Sequence, residues 1–210
     1  MKTFKDYFIG TLLHPRRTFE ALLTDDRRLK FGLSAISINA ILYTFVYIFL
    51  WHGRGAPSTL TPWLAIPKNV YYFYNQFMLA PSMFGCWILA AGVAHLLSRI
   101  FAGKGSFEDT LTVFSFGVTI ATLFALLHDL TDSFLVAIGL LDARWYEVQL
   151  NSPTIWRAIL LTLYSIALIL LLVLLTKGVF ASQRIKRIPG VLIGLVSFIV
   201  YQGTFLIFNR

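Results

Sequence analysis

Residues 154–176 read TIWRAILLTLYSIALILLLVLLT, an apolar stretch in which Arg157 is the one charged residue. At a rise of about 1.5 Å per residue, a helix of this length crosses the roughly 30 Å hydrocarbon layer of a bilayer. The preceding Asn151-Ser152-Pro153 favours a helix start, because it combines an N-cap residue with a proline in the first turn. The stretch is therefore predicted to be a transmembrane helix.

Four further stretches have the same apolar character, and together they determine the fold class. They lie at about residues 31–50, 71–98, 107–130 and 189–208. The chain of 210 residues is 57% hydrophobic, which is too apolar for a soluble domain of this size. Backbone amides in hydrocarbon must be satisfied internally, which favours helices. We predict an all-α, polytopic, five-helix membrane bundle over residues 31–210, preceded by a cytoplasmic amphipathic segment over residues 1–30.

The third span poses a problem of length. It opens with Ser106-Phe107-Glu108-Asp109, a pattern typical of a capping box. An unbroken helix from there to Leu141 would far exceed the hydrocarbon thickness. The sequence therefore predicts a break between His128 and Asp132, and it leaves residues 131–150 open as an interfacial, re-entrant or loop segment.

The placement of basic residues predicts how the bundle sits in the membrane. Of the 18 Lys and Arg residues, thirteen fall in residues 1–30, 98–108 and 177–188, which the five spans put on one side. The positive-inside rule assigns that side to the cytoplasm. We therefore expect a multi-pass protein of the cell (inner) membrane with a cytoplasmic N-terminus and an external C-terminus. An aromatic belt is expected at the outer headgroup layer, formed by Trp51, Trp63, Tyr71, Tyr72, Trp145, Tyr146 and Trp156.

The first 30 residues carry two short amphipathic patterns. Apolar side chains recur at helical spacing from Phe4 to Leu12, and again from Phe19 to Leu23 after Pro15. Such helices lie in the membrane interface or pack beneath the bundle, since both need one apolar face. In the interfacial interpretation, basic side chains contact anionic headgroups. The candidates are Arg16, Arg17, Arg27, Arg28 and Lys30. Membrane lipids are thus the expected partners, and nucleic acid is not expected.

One cluster of ionisable residues lies next to a predicted span, near its outer end. It consists of His128, Asp129 and Asp132, and Asp132 can approach either neighbour if the helix continues. We interpret the cluster as the mouth of a proton or cation pathway or as a solvated helix end. A metal site is not expected, because the predicted topology separates His95 from His128, although it places His52 on the same side as His128.

The deeper polar residues are few and leave two interpretations. They serve as interhelical hydrogen-bond partners or they line a pathway for an ion or solute. The candidates are Asn39, Gln76, His95 and Gln202. No charged residue is placed at the middle of a predicted span, which favours hydrogen bonding between helices.

Small residues recur every fourth position in three spans and predict close helix packing. The stripes consist of Ser82, Cys86, Ala90 and Ala94 in the second span, Gly117 and Ala121 in the third, and Gly190 and Gly194 in the fifth. The last stripe also suggests self-association, so a homo-oligomer is an alternative to a purely internal role.

Two short motifs and the five-span layout carry a family resemblance. Leu13-His14-Pro15-Arg16-Arg17-Thr18-Phe19 precedes the first span, and Gly103-Lys104-Gly105-Ser106-Phe107 opens the third. In these features the chain resembles the Yip1-domain family of small membrane proteins, of the prokaryotic type. The resemblance implies a similar topology. Eukaryotic members of the family resemble membrane adaptors, and prokaryotic members are sometimes described as transporters.

The sequence contains none of the enzyme motifs that would indicate a specific chemistry. We find no His-Glu-x-x-His, no Walker-type loop, no Gly-x-Ser-x-Gly and no paired acids within a span. The expected function is therefore non-enzymatic organisation of membrane or partner proteins, without a cofactor. The alternative is a transporter or channel for an ion or small solute.

Overall fold

The computed structural model describes residues 2–55 and 66–209, which form eight α-helices and contain no strand. The helices are α1 (Phe4–Leu13), α2 (Pro15–Leu23), α3 (Arg28–His52), α4 (Tyr71–Ile100), α5 (Phe107–Ala137), α6 (Ala143–Asn151), α7 (Ile155–Gln183) and α8 (Arg187–Asn209). Five of them, α3, α4, α5, α7 and α8, are long and apolar enough to cross a membrane. The predicted all-α fold with five spans is confirmed.

Helix α5 differs from the prediction, which was wrong to break it between His128 and Asp132. The helix begins at the predicted capping box, where Ser106 and Asp109 each accept the other's backbone N–H. It then continues unbroken for 31 residues to Ala137, or about 46 Å. The polar side chains near its end do not interrupt it, because they find hydrogen-bond partners on neighbouring helices. The helix therefore extends beyond the hydrocarbon layer.

Residues 131–150, which the sequence left open, form the end of α5, a turn and most of the short helix α6. A glycine with a left-handed backbone, Gly139, follows the end of α5, and Asp142 then caps the short helix α6. Thr154 rather than Asn151 or Ser152 caps α7, because its hydroxyl accepts the N–H of Arg157. Pro153 therefore precedes the helix instead of occupying its first turn.

Helix α5 occupies the centre of the bundle. In the most apolar 18-residue stretch of α5, 78% of the residues are buried inside the bundle. The corresponding share is 22–44% in the other four spans. Helix α5 packs between α3 and α7, while α8 packs against α4 and α7. Fully buried Trp87, Phe114, Phe116 and Leu175 fill the core. Its burial explains why α5 carries polar residues that would be costly in contact with lipid.

The predicted small-residue stripes lie at helix contacts, and the one in α8 is used inside the chain. A Cβ atom on Gly194 would lie 2.3 Å from the Thr176 hydroxyl, and one on Gly190 would lie 2.2 Å from the Phe180 ring. Both partners belong to α7. Within the chain this stripe is therefore in contact with α7, and the homo-oligomer stays a prediction.

The two N-terminal helices form a pair that packs against the side of the bundle. Phe19 and Leu22 of α2 are fully buried. Phe4 of α1 lies 5.6 Å from Phe116, measured between ring centroids. Phe116 lies nine residues, or about 14 Å, inside α5. The pair therefore packs against the bundle beside the first three turns of α5.

The bundle has two distinct ends. The basic end contains α1, α2 and the connections at residues 101–106 and 184–186, and the cavity end contains residues 53–55, 66–70 and 138–154. At the basic end, residues 103–106 and Thr110 contact Ser182 and Gln183 at the end of α7, and we call this contact the clasp. Lys104 N–H donates to the Gln183 carbonyl over 3.0 Å. The Gln183 amide donates to the Thr110 hydroxyl over 2.6 Å and to the Ser106 carbonyl over 3.3 Å.

Two glycines allow the clasp to close. A Cβ on Gly105 would lie 1.9 Å from the Ser182 carbonyl oxygen, and one on Gly103 would lie 2.8 Å from the Ser98 carbonyl oxygen. Both obstacles are backbone atoms, so no side-chain rotation can remove them. The Gly-Lys-Gly-Ser motif is therefore a packing device that joins α5 to α7.

Candidate functional site

A cavity of about 510 Å³ opens at the cavity end, between α3, α5, α6 and α7. Tyrosines and aliphatic side chains form most of its wall, and a small group of charged residues projects into it. His128, Asp129 and Asp132 come from α5, Glu147 from α6 and Arg157 from α7. A polar chamber with aromatic walls and converging charges is the kind of concave site that binds small ligands.

The three residues that the sequence singled out lie together at this cavity. Continuation of α5 places Asp132 one turn beyond His128, as the spacing allowed. The imidazole Nδ1 lies 3.1 Å from Asp129 Oδ1, and Nε2 lies 3.0 Å from Asp132 Oδ2. This arrangement suits the imidazolium form, which alone has a donor on each nitrogen. The side chain of His128 is 7% exposed and each aspartate side chain 18%, so the carboxylates face the cavity more than the ring does.

Two tyrosines from neighbouring helices complete the network. Tyr164 of α7 donates its hydroxyl to Asp129 Oδ2 over 2.6 Å. Tyr146 of α6 donates to Asp132 Oδ2 and also lies 3.1 Å from His128 Nε2. Burial raises the pKa of Tyr146, and its hydrogen bond to Asp132 raises it further, so the hydroxyl remains a donor at physiological pH. The network holds α5, α6 and α7 in register.

A second cavity of about 90 Å³ lies deeper in the bundle, and Tyr43, Tyr164 and Phe205 line both cavities. The sequence candidate Gln202 lines it as well, beside Tyr201. The Tyr201 hydroxyl is buried and has no hydrogen-bond partner among the described residues. A buried polar group of this kind calls for a partner, either water or a ligand.

The other candidate residues are scattered. Asn39 accepts a hydrogen bond from the Thr122 hydroxyl beside the deeper cavity. His95 lies at the basic end, 3.3 Å from the Gln183 amide, and Gln76 lines neither cavity. His52 does not join His128, since its Nδ1 lies 2.9 Å from the carbonyl of Ile48. Of the predicted pathway residues, the structure therefore places the cluster on α5 and Gln202 at the two connected cavities, but not Gln76 or His95.

The basic candidates divide into two groups. Arg27 pairs with Asp25 over 3.1 Å, and Arg28 lies 3.2 Å from Asp109 at the start of α5. Arg16, Arg17 and Lys30 are exposed, and Arg16 pairs only with the exposed Glu20. The Arg27 side chain and backbone donate to Asp25 and lower the pKa of that carboxyl to about 2. Arg27 thus holds the segment that follows α2, Arg28 joins α3 to α5, and three basic residues face outward.

Sequence reasoning missed the tyrosines of the site. It assigned Tyr71, Tyr72 and Tyr146 to an outer aromatic belt, but all three line the cavity, while Trp51, Trp145 and Trp156 are exposed. Trp63, also assigned to the belt, lies outside the described residues. A usable signal was present in Tyr43 and Tyr164, which are polar aromatic residues inside spans and need a partner when buried.

Comparison with known protein families gives one match that covers nearly the whole chain. The model of a family described as Yip1, Yip1 domain, matches residues 9–208. Neither curated proteins nor solved structures give a match to the chain.

Proposed function

The chain belongs to the Yip1-domain family of multi-pass membrane proteins, and from that premise we propose that it organises membrane lipids or partner proteins without catalysing a reaction. The observation that carries the proposal is the N-terminal helix pair. It is fixed against the bundle and presents both an apolar edge and exposed basic residues.

The apolar edge lies on the side of α1 that faces away from the bundle. Ile9, Leu12 and Leu13 are 45%, 47% and 63% exposed. Tyr7 and Thr11, on the opposite side of the same helix, are buried. An apolar edge beside Arg16 and Arg17 fits the boundary between acyl chains and anionic headgroups. Packing against the bundle and contact with lipid are therefore compatible, since they use different sides of the pair.

We propose the membrane orientation that the sequence predicts, with the N-terminus in the cytoplasm and the C-terminus outside. The spans alternate in direction, because α3, α5 and α8 run towards the cavity end and α4 and α7 run towards the basic end. Helix α1 and the end of α8 therefore lie at opposite ends of the bundle. The excess of basic residues at one end supports a cytoplasmic location for it in a cell membrane. Accessibility mapping of tags at both termini tests this, and two termini on the same side would contradict it.

Packing at the basic end favours this role over a transporter or channel. The cavities occupy the half of the bundle near the cavity end, whereas Trp87, Phe114 and Phe116 are fully buried in the core. Within the described ranges, neither cavity is lined by residues of the clasp. Specific, saturable solute flux into liposomes containing the purified protein would overturn the preference.

Enrichment of anionic lipid around the basic end provides the direct test. A Leu12→Cys variant can be labelled selectively with a fluorescent donor, because the one native cysteine, Cys86, is buried. In vesicles, energy transfer from this donor to labelled phosphatidylglycerol then measures the local concentration of that lipid near residue 12. We expect Arg16→Gln with Arg17→Gln to reduce the transfer severalfold, since each basic residue contributes about 1 kcal/mol at an anionic surface.

A matched double variant controls for total charge. Arg54 and Arg144 are exposed residues of the cavity end, far from the label. Exchanging both for Gln removes the same charge and should leave the transfer unchanged. Equal transfer in the wild type and in the Arg16 and Arg17 variant would contradict the proposed lipid contact.

A further inference from the structure

We propose that the cavity end binds a membrane lipid whose headgroup carries a primary ammonium group. In this arrangement Asp129 and Asp132 contact the ammonium, Tyr201 donates to an oxygen of the lipid backbone, and the acyl chains leave between α7 and α8. The site lies at the end of the bundle opposite the N-terminal helix pair, so the inference does not depend on the proposed function.

Charge selects the headgroup. Asp129 and Asp132 carry two negative charges, and a fully protonated His128 between them neutralises one. At the rim, Glu147 and Arg157 offset each other. The inner chamber therefore keeps a net negative charge next to tyrosine rings. A cation that can donate hydrogen bonds to carboxylates and lie against aromatic faces satisfies both features.

The shape of the site indicates that the ligand comes from the bilayer. Leu161 lines the larger cavity and Leu168 the smaller one, yet their side chains are 54% and 41% exposed on the outer surface of α7. The two residues are two helical turns, or about 10 Å, apart along the span. The cavities thus open sideways along α7, where lipid surrounds the bundle, and an amphiphile can enter without leaving the membrane.

The deeper cavity supplies the second contact. It is lined by Tyr201, a residue that is 2% exposed, and by Gln202 beside it. The Tyr201 hydroxyl has no hydrogen-bond partner in the described part of the chain. Tyr43, Tyr164 and Phe205 connect this cavity to the chamber with the aspartates. An amphiphile with its ammonium at the aspartates would place ester or glycerol oxygens one level deeper, where a hydroxyl donor is available.

Binding of defined lipids to the purified full-length protein tests the inference. The probes are phosphatidylethanolamine and phosphatidylglycerol with identical acyl chains, titrated into detergent solution and followed by native mass spectrometry. We expect at least tenfold tighter binding of phosphatidylethanolamine. We expect Asp129→Asn with Asp132→Asn to abolish that selectivity. Equal binding of the two lipids by the wild type would overturn the assignment.

Two further variants keep the test decisive if the aspartate variant fails to fold. Tyr201→Phe removes only the unpartnered hydroxyl, so the lipid-free protein should melt at the same or a higher temperature, while phosphatidylethanolamine should bind severalfold more weakly. Leu168→Trp should block the sideways opening, whereas Leu192→Trp, at an exposed position of α8, should not. Wild-type lipid affinity in both Tyr201→Phe and Leu168→Trp would contradict the site.

Soluble ethanolamine distinguishes a lipid site from a site for a free amine. It shares the ammonium group but has no acyl chains to enter the opening along α7. We expect it to compete with phosphatidylethanolamine only at far higher concentration. Competition at equal concentration would overturn the lipid assignment.

Discussion

The clasp and the cavity use similar polar side chains for opposite purposes. At the clasp, Gln183 is fully buried and its amide bonds to Thr110 and to backbone, which closes two helices onto each other. At the cavity, Asp129 and Asp132 bond to His128 and tyrosines but remain partly open to a chamber. The difference lies in the glycines, because Gly103 and Gly105 let backbones meet at the clasp, whereas bulky tyrosines hold the helices apart at the cavity.

The comparison leads to an expectation about stability. The Gln183 amide nitrogen and its partners at the clasp have exchanged water for fixed hydrogen bonds, although Gln183 Oε1 has no partner among the described residues. Loss of these hydrogen bonds costs free energy of unfolding. Groups at the cavity can recruit water or a ligand when a partner is lost. Substitutions of the same type should therefore be more damaging at the basic end.

The largest effect is expected for Gly105→Ala. The new Cβ would lie 1.9 Å from the Ser182 carbonyl oxygen, so the loop or α7 must move. Overpacking of this kind costs up to about 3 kcal/mol, which lowers the melting temperature on the order of 10 °C. Thermal melting of the purified protein in detergent measures the change.

Gly85→Ala provides the matched control within α4. Its Cβ would meet no atom within 4 Å. Alanine is favoured over glycine in a helix interior by about 0.5–1 kcal/mol, so this variant should melt at the same or a higher temperature. Similar melting temperatures for the two variants would show that the clasp is not tightly closed.

An intermediate effect is expected for Gln183→Met, compared with Gln202→Met at the cavity. The first exchange leaves the Thr110 hydroxyl and the Ser106 carbonyl without the Gln183 amide, at a cost of about 1–3 kcal/mol. The second alters a half-buried cavity wall and should stay within about 0.5 kcal/mol. Denaturant titration of both variants checks the order, and the reverse order would break the comparison between the two ends.

The smallest effect concerns the N-terminal pair and depends on pH. Asp25 accepts hydrogen bonds from Arg27 and from the Tyr7 hydroxyl, and its pKa is lowered from 3.8 to about 2. The carboxylate therefore adds stability above pH 3.8, and this contribution is lost as the pH falls towards 2. Asp25→Asn should lower the melting temperature slightly at neutral pH, and the difference from the wild type should vanish between about pH 4 and pH 2.

The neighbouring Asp26 serves as the control, because it is exposed. Asp26→Asn should melt like the wild type across the same pH range. A constant difference between wild type and Asp25→Asn down to pH 2 would argue against the ion pair with Arg27 as the source of the stabilisation.

The spans and the start of α5 were predictable because their signals are local, whereas the cap of α7 is Thr154 and not the predicted Asn151. Hydropathy over some twenty residues identified all five spans, and Ser106 with Asp109 identified the start of α5. The end of α5 was not predictable, since the side chains that satisfy His128, Asp129 and Asp132 come from Tyr146 and Tyr164 on other helices.

Other features were ambiguous because the same sequence pattern is compatible with two different packing arrangements. Gly190 and Gly194 look the same in sequence whether their partner is another copy or α7. The amphipathic pattern of α1 is likewise common to helices on a membrane and beneath a bundle. In the site, the sequence could indicate the cluster on α5, but only the arrangement of α3, α6 and α7 around it creates the chamber.

The clasp also has a consequence for biosynthesis. Ser106 and Gln183 are 77 positions apart in the chain. At a translation rate of about 5–20 residues per second, the loop waits roughly 4–15 s for its partner to be made. During that time α5, the most deeply buried span, is exposed to the membrane without the completed α7. That interval is when a membrane insertase or chaperone would have to shield it.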